Sequence, residues 1–273
     1  MGKTILSPRS DFVFKRIFGN QANADILAEF LLSVLSLSKN EYDTLTIIDP
    51  HLNRMATDGK MSILDVKLRT RTGKIIDIEI NISPMSEMRE RIIYYTARMI
   101  TEQMEKGDRY SAIKKVVSIV ITDYVMVNEN KKYHNRYTMF DKINDSEFTD
   151  IIEIDTLELP KLAAGGDGSA LSDWMQFLKS QTEEELTMLA QKSAPLNKAV
   201  GVLLELSADE QTRLLYEAHE KARMDEDART RYAIKIRETE FAKKLLAMGM
   251  SIDEVIEASG LSIDEVNGLS FDE

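Results

Sequence analysis

Three acidic side chains interrupt two apolar runs that read as a β-hairpin, in residues 62–81, SILDVKLRTRTGKIIDIEIN. Because side chains alternate between the two faces of a strand, Asp77 and Glu79 share one face of the second run. If Gly73 closes a three-residue loop, Asp65 in the first run lies directly opposite Glu79. Carboxylates whose Cβ atoms are about 5 Å apart repel each other unless a positive charge lies between them. A divalent cation is the natural candidate.

Ordinary surface chemistry explains the same acids without a metal. Strands that are half exposed carry polar faces routinely, and Lys67 and Arg69 share a face with Asp65, where they could neutralise the carboxylates. A loop longer by one residue would also move Glu79 out of register with Asp65. The hairpin alone leaves both interpretations open.

The neighbouring segments predict the elements that would hold this hairpin. Residues 10–19 read as a short helix with Ser10 as its N-cap and Gly19 at its end. Residues 86–107 read as a longer helix with Ser86 as N-cap, and residues 114–124 are a nearly continuous apolar run, typical of a strand buried on both faces. Further strands are predicted at residues 44–49, 136–140 and 149–157. The predicted fold class is α+β, with a mixed central sheet flanked by helices.

A break, AAGGDGSA, separates this part from a region that reads as helix throughout. We therefore predict one domain over residues 1–162 and an α-helical C-terminal region over residues 163–273. Helices are predicted to begin near Ser172, Thr182, Pro195 and Ser207, with two short capped helices around Gly260. Their amphipathic pattern and acidity predict that the C-terminal helices mediate homo-oligomer formation.

Composition limits the classes of function. The formal net charge of −11 argues against a protein that coats nucleic acid non-specifically. Most of that acidity lies after residue 160, so basic clusters at residues 67–74 and 131–136 are left for local phosphate contacts. The absence of cysteine excludes thiol catalysis and disulfides. No run approaches the ~20 apolar residues of a membrane span, so we expect no membrane association and a cytoplasmic location.

Five motifs, in this order, resemble those of the PD-(D/E)XK nuclease superfamily, and more closely its branch of transposase-like, recombination-promoting nucleases, the Rpn family. The motifs are SDFVFKRIFGN, ILDVKLRTRTGKIIDIEIN, RERIIYYTARMITEQMEKGDRY, IIEIDTLELPKL and AKKLLAMGMSIDEVIEASGLSIDEV. The resemblance implies a restriction-endonuclease-like core and a metal-dependent endonuclease that acts on DNA, with a role in DNA recombination.

Carried over residue by residue, the resemblance makes Asp65 and Glu79 ligands of Mg²⁺ or Mn²⁺, with the backbone carbonyl of Ile80 as a further ligand. Asn81 occupies the last motif position, where the superfamily favours a lysine that orients the attacking water and this branch tolerates glutamine. An amide carries no charge and cannot act as a base near neutral pH. Slow cleavage is therefore one expectation, and a catalytically weak or inactive relative that binds DNA or protein is the alternative.

Other side chains are candidates for accessory roles. Lys67 or Lys60 could replace the missing motif lysine, although each also reads as an ordinary structural or surface residue. Asp11 and Lys15 lie one helical turn apart, as do Arg91 and Tyr95; these two pairs read either as structural contacts or as groups at the mouth of the site. The resemblance favours the second reading for the pair on the longer helix.

Overall fold

The structure of the chain is a computed structural model that describes residues 5–35, 45–48 and 65–269. The strand predicted at residues 44–49 is observed as a short strand, Thr46–Ile48. Lys60, considered above as a substitute for the motif lysine, lies outside the described residues. None of the helices in these ranges is long and apolar enough to cross a membrane.

Within the described residues a sheet of six strands forms the centre of the fold, in the spatial order β1-β2-β3-β4-β6-β5. The strands are β1 Thr46–Ile48, β2 Val66–Arg69, β3 Ile75–Asn81, β4 Val116–Thr122, β5 His134–Asp141 and β6 Ser146–Glu158. Parallel pairing joins β3 to β4 and β4 to β6, whereas every other neighbouring pair is antiparallel. The sheet is therefore mixed, and the central β4 is buried along its whole length, as predicted.

The β2–β3 hairpin has the predicted register. Gly73 adopts a left-handed φ of 89°, which glycine tolerates at little steric cost, and its N–H donates to the carbonyl of Thr70. The ladder then pairs Lys67 with Asp77. This confirms the three-residue loop and excludes the longer loop that would have shifted the acidic residues.

Helices cover both faces of the sheet. On one face, the carbonyl of Val34 at the end of α2 accepts a hydrogen bond from Arg136 Nη2 at 2.9 Å. On the other, the hydroxyls of Thr96 in α3 and Ser118 in β4 lie 2.8 Å apart. We call this second face the α3 face. The helices of this part are α1 Asp11–Phe18, α2 Ala24–Val34 and α3 Met88–Thr101.

The predicted ends of α1 are confirmed, and those of α3 are wrong. Ser10 caps α1 by accepting a hydrogen bond from the N–H of Val13. By contrast, α3 begins two residues after the predicted cap and ends at Thr101 rather than near residue 107. The side-chain amide of Gln103 bonds both the N–H and the carbonyl of Lys114. These bonds tie the chain that follows α3 to the start of the next strand.

The helical region packs in two parts. Helices α4 Ala170–Lys179, α5 Glu183–Ala190 and α6 Ala194–Ala208 follow the sheet. The Trp174 ring lies 5.9 Å from that of Phe18 and 6.0 Å from that of Phe30, so α4 shares the aromatic core of α1 and α2. By its contacts the chain divides into two compact units, Met1–Arg213 and Leu214–Glu273. The boundary at residue 162, between the nuclease-like domain and the helical region, stays a prediction.

The second unit has a small core of its own. It contains most of the long helix α7, Glu210–Ala247, followed by α8, Ile252–Ser259, and α9, Ile263–Leu269. Ser251 caps α8, and Gly260 ends it in a left-handed conformation, as predicted. The core residues are Ala242, Val255, Leu261 and Val266. With these helices in place, the predicted α+β fold followed by an all-helical C-terminal region is confirmed.

Candidate active site

The two predicted metal ligands lie side by side at one end of the hairpin. Glu79 lies in β3 on the α3 face, and Asp65 directly precedes β2. The last ladder pair is Val66 with Ile78, so the next position brings Asp65 opposite Glu79, as the sequence predicts. The Asp65 carboxylate accepts a hydrogen bond from the N–H of Ile80 at 2.8 Å. The structure therefore brings together three of the predicted site residues in a largely buried position.

Each carboxylate has a cationic partner, and the two partners come from different helices. Lys15 Nζ of α1 lies 2.9 Å from Asp65 Oδ1, and Arg91 Nη2 of α3 lies 2.6 Å from Glu79 Oε1. Charge-assisted bonds of this length are stronger than neutral ones. The acidic pair is thus held between two helices, each of which contributes a positive charge.

The remaining accessory candidates stand behind these cations. Asp11 Oδ2 lies 3.9 Å from Lys15 Nζ, one helical turn away, and its side chain is more than half exposed. The Arg91 guanidinium carbon lies 5.3 Å from the centre of the Tyr95 ring, within cation–π distance. Both pairs therefore make the predicted contacts along their helices, and in both it is the cation that reaches the acidic pair.

The three acidic side chains of the site, Asp65, Asp77 and Glu79, lie in buried surroundings that oppose their ionisation. Burial raises the pKa of Asp65 and of Glu79, although Lys15 and Arg91 oppose the rise. Burial also raises the pKa of Asp77 well above its ordinary value, and the charge of Glu79 adds to that rise. Among the described residues, Asp77 Oδ1 has no hydrogen-bond partner. A further cation at this position would relieve the repulsion.

Lys67 is directed to a different acid. It lies opposite Asp77 in the ladder, as predicted, and its charge opposes the rise in the pKa of that residue. Its ammonium group, however, lies 3.1 Å from Glu102 Oε2, at the end of α3. The structure therefore places Lys67 in a buried ion pair that joins the sheet to α3.

The Asn81 side chain is held by the loop that follows β3. Its Oδ1 accepts a hydrogen bond from the N–H of Ser83 at 3.1 Å, and its Nδ2 contacts the sulfur atoms of Met85 and Met88 at 3.6 and 3.8 Å. An amide held in this way stabilises the turn after the strand. Its predicted role in orienting water stays a prediction.

Sequence reasoning missed Tyr124, which follows β4 next to the end of β3. The backbone N–H of Asp123 donates to the carbonyl of Asn81, so the two strand ends leave the sheet together. Burial raises the pKa of Tyr124, and the charge of Glu79 adds to the rise. Ligands of open α/β sheets bind outside the carboxyl ends of parallel strands; the sequence TDY after an apolar strand was therefore an available signal.

The donor set suits a hard divalent cation. In the described part of the chain no group of three or more His, Cys, Asp and Glu side chains is arranged to hold a metal. Two carboxylates and a backbone carbonyl leave the remaining positions to water and substrate, as is usual for Mg²⁺. The charge of Asp65, which adds to the rise in the pKa of Glu79 and of Asp77, would be offset by such an ion.

Comparison with known proteins identifies the family. A family model described as PD-(D/E)XK nuclease family transposase matches residues 8–233, which is most of the chain and includes the hairpin, α1 and α3. No curated protein and no solved structure matches the chain. The observed mixed sheet with flanking helices is consistent with the restriction-endonuclease-like core that the sequence motifs imply. The chain therefore belongs to the PD-(D/E)XK nuclease family transposases.

Proposed function

We propose that this chain is a metal-dependent endonuclease that hydrolyses phosphodiester bonds in DNA and acts in DNA recombination. The observation that carries the proposal is the facing pair Asp65 and Glu79, buried at the end of the hairpin and flanked by one cation from each side. Family membership supports the same chemistry. Incubation of purified protein with supercoiled plasmid and Mg²⁺ or Mn²⁺ tests it, with Asp65→Asn as the variant that makes the test specific.

Asp65, Glu79 and the carbonyl of Ile80 would hold the metal ion. When bound, such an ion lowers the pKa of a coordinated water and offsets the charge that develops on the phosphate. Lys15 and Arg91 remain close to the carboxylates, where their charges face the anionic backbone of a DNA strand. Tyr95 packs against Arg91 and restricts the orientation of the guanidinium.

The alternative function is a catalytically weak or inactive nuclease relative that binds DNA or a protein partner. The contacts of Asn81 favour it, because this amide is engaged by Ser83 and neighbouring methionines rather than by the acidic pair. Lys15 argues for the enzyme instead. It brings a positive charge to within 2.9 Å of Asp65 from another element, where it can do what a motif lysine does.

Metal binding is expected to stabilise the chain. At a free Mg²⁺ or Mn²⁺ concentration about 100 times the Kd, an ion that binds only the folded state adds about 2.7 kcal/mol to the free energy of unfolding. We expect calorimetric titration to show binding heat and thermal unfolding to shift upward by several degrees. The double variant Asp65→Ala, Glu79→Ala should lose both signals. Equal heats in the variant and the wild type would place the ion elsewhere.

Self-association is expected to involve the C-terminal unit. Its helix α7 leaves Tyr232 and Ile236 exposed one helical turn apart, with Phe241 further along. We propose that these apolar side chains contact a second copy of the chain. Light scattering should give a mass that is a multiple of 31.1 kDa, and Tyr232→Lys with Ile236→Lys should reduce it. A monomer in both forms would contradict this prediction.

A further inference from the structure

A cavity of about 470 Å³ lies on the α3 face, on the other side of α3 from Glu79. Its wall comes from α3, from the loop after β4 and from strands β5 and β6. The side chains that matter most are Arg89, Ile92, Met126, Tyr137, Ile154 and Thr156. We call it the Thr156 cavity. Its volume is within the range of small-ligand sites, about 300–1,000 Å³.

Thr156 gives this mostly apolar cavity a polar floor. Only 2% of the residue is exposed, and in the part of the chain that the structure describes its hydroxyl has no hydrogen-bond partner. Buried hydroxyl groups are normally paired, because burial removes their bonds to water. An unpaired hydroxyl on a residue that lines a cavity points to a ligand with a polar edge.

The cavity is close to the acidic pair. Glu79 pairs with Val120, and Val120 pairs with Thr156, so all three lie in one row on the same face of the sheet. Neighbouring strands are about 4.8 Å apart, which puts the backbone of Thr156 about 10 Å from that of Glu79. Ile92 packs on Val120 between them.

A second cavity, of about 450 Å³, lies around the start of α3. It shares Arg89 and Met126 with the Thr156 cavity and adds Met85, Met88 and Tyr124. The two methionine sulfur atoms contact Asn81, and that of Met85 also lies 3.4 Å from Arg91 Nη1. The wall of the second cavity therefore touches side chains on both sides: those of the Thr156 cavity and those next to Glu79.

We propose that the Thr156 cavity binds one unstacked base of the DNA strand whose backbone lies at Asp65 and Glu79. This inference rests on the proposed function. Apolar side chains, here Ile92, Ile154 and the Tyr137 ring, accept the faces of a base. The Thr156 hydroxyl both donates and accepts, so it can pair with the polar edge of any of the four bases.

Arg89 supplies the complementary charge at the rim. Its Nη2 donates to the carbonyl of Met126 at 3.0 Å and lies 3.4 Å from both carboxylate oxygens of Glu129. Both side chains of that ion pair are more than half exposed, so the pair is weak. A phosphate of the bound strand can replace Glu129 at little cost.

The experiment compares two kinds of strand, intact and abasic, and three variants of the full chain. The strands are a short oligothymidylate and the same strand with one abasic site, placed at each position in turn. The variants are Thr156→Val, which removes the hydroxyl at nearly constant shape, Thr156→Ser, which keeps it, and Thr138→Val, a matched control on β5 outside the cavity. Binding is read by fluorescence anisotropy in EDTA, and cleavage of the intact strand with Mn²⁺ is read separately on gels.

At one position, the abasic site should weaken binding to the wild type by about 5-fold to 150-fold, the usual value of one stacked base. Thr156→Val should weaken binding of the intact strand by about 2-fold to 10-fold and leave binding of that abasic strand unchanged. Thr156→Ser and Thr138→Val should behave like the wild type. Melting temperatures identify any variant that fails to fold.

Equal effects of Thr156→Val on both strands, or no position dependence of the abasic site, would overturn the inference while leaving nuclease activity intact. If Thr156→Val weakens binding of the intact strand but not of the abasic strand, and no strand is cleaved, the inference is supported and the proposed endonuclease activity is contradicted. Tight binding of free deoxynucleotides, with no coupling to the strand, would make this a free-nucleotide site and also overturn the inference. Failure of every strand to bind would contradict both the inference and the proposal that DNA is the substrate.

Discussion

Asp65→Asn is expected to lower the rate of Mg²⁺-dependent plasmid cleavage by about 1000-fold or more. The substitution removes a negatively charged metal ligand, and bound metals contribute several kcal/mol of transition-state stabilisation. Each 1.36 kcal/mol corresponds to a factor of ten in rate. Asparagine has nearly the shape of aspartate and can still accept the hydrogen bond from the N–H of Ile80. Loss of charge is therefore the main change at the site.

The control is Asp25→Asn. Asp25 pairs with Lys198 at 2.6 Å, much as Asp65 pairs with Lys15 at 2.9 Å, but on a different surface of the same unit. The substitution Asp25→Asn removes the carboxylate of one lysine–aspartate pair and leaves the hairpin unchanged. We therefore expect this variant to cleave plasmid at the wild-type rate. Both variants should melt within a few degrees of the wild type.

Three results have distinct meanings. Loss of cleavage in Asp65→Asn alone supports the enzyme and its assigned centre. Equal cleavage by the wild type and Asp65→Asn would show that the nicking comes from elsewhere, including a contaminating nuclease. No cleavage by any form, despite metal binding, would favour the alternative of an inactive relative.

The hairpin was predictable because its determinants are local. Alternation of side chains set the faces, and Gly73 set the loop, so the register that joins Lys67 to Asp77 followed from a few adjacent residues. The burial of β4 followed equally from its own apolar run. These features require no knowledge of which distant segment packs against them.

The partners of the acidic residues were not predictable in the same way. Lys15 and Asp65 are far apart in the sequence, and their contact depends on how α1 packs against the sheet. The pairing of Lys67 with Glu102 depends in turn on where α3 ends. Helix spacing identified Lys15 as a neighbour of Asp11, and tertiary packing decided that its ammonium lies closer to Asp65.

Asn81 shows a different limit. Its position two residues after Glu79 correctly predicted the same strand, but strand alternation says nothing of what a side chain does at the end of the strand. There the chain turns, and a short amide readily bonds the backbone two residues on. The bond to Ser83 is that local alternative.

Lys15 is expected to supply the positive charge of the missing motif lysine. We expect Lys15→Gln to lower plasmid cleavage by about 100-fold to 1000-fold, the usual effect of removing one positioned electrostatic group. Metal affinity should not fall, because the substitution removes a cation that competes for Asp65. Lys198→Gln is the matched control, since it breaks the other lysine–aspartate pair.

Asn81→Lys tests the same idea from the strand. A lysine there lies on the same face as Glu79 and is long enough to reach past the turn, so its charge should replace that of Lys15. In the Lys15→Gln background we expect it to restore cleavage by about 100-fold. In the wild type the gain should be smaller, because one cation is already present.

Rates are compared at saturating Mg²⁺, so that differences in metal affinity do not contribute. A 100-fold gain in the wild type, with no loss in Lys15→Gln, would instead show that Asn81 limits the chemistry and that Lys15 only stabilises the fold.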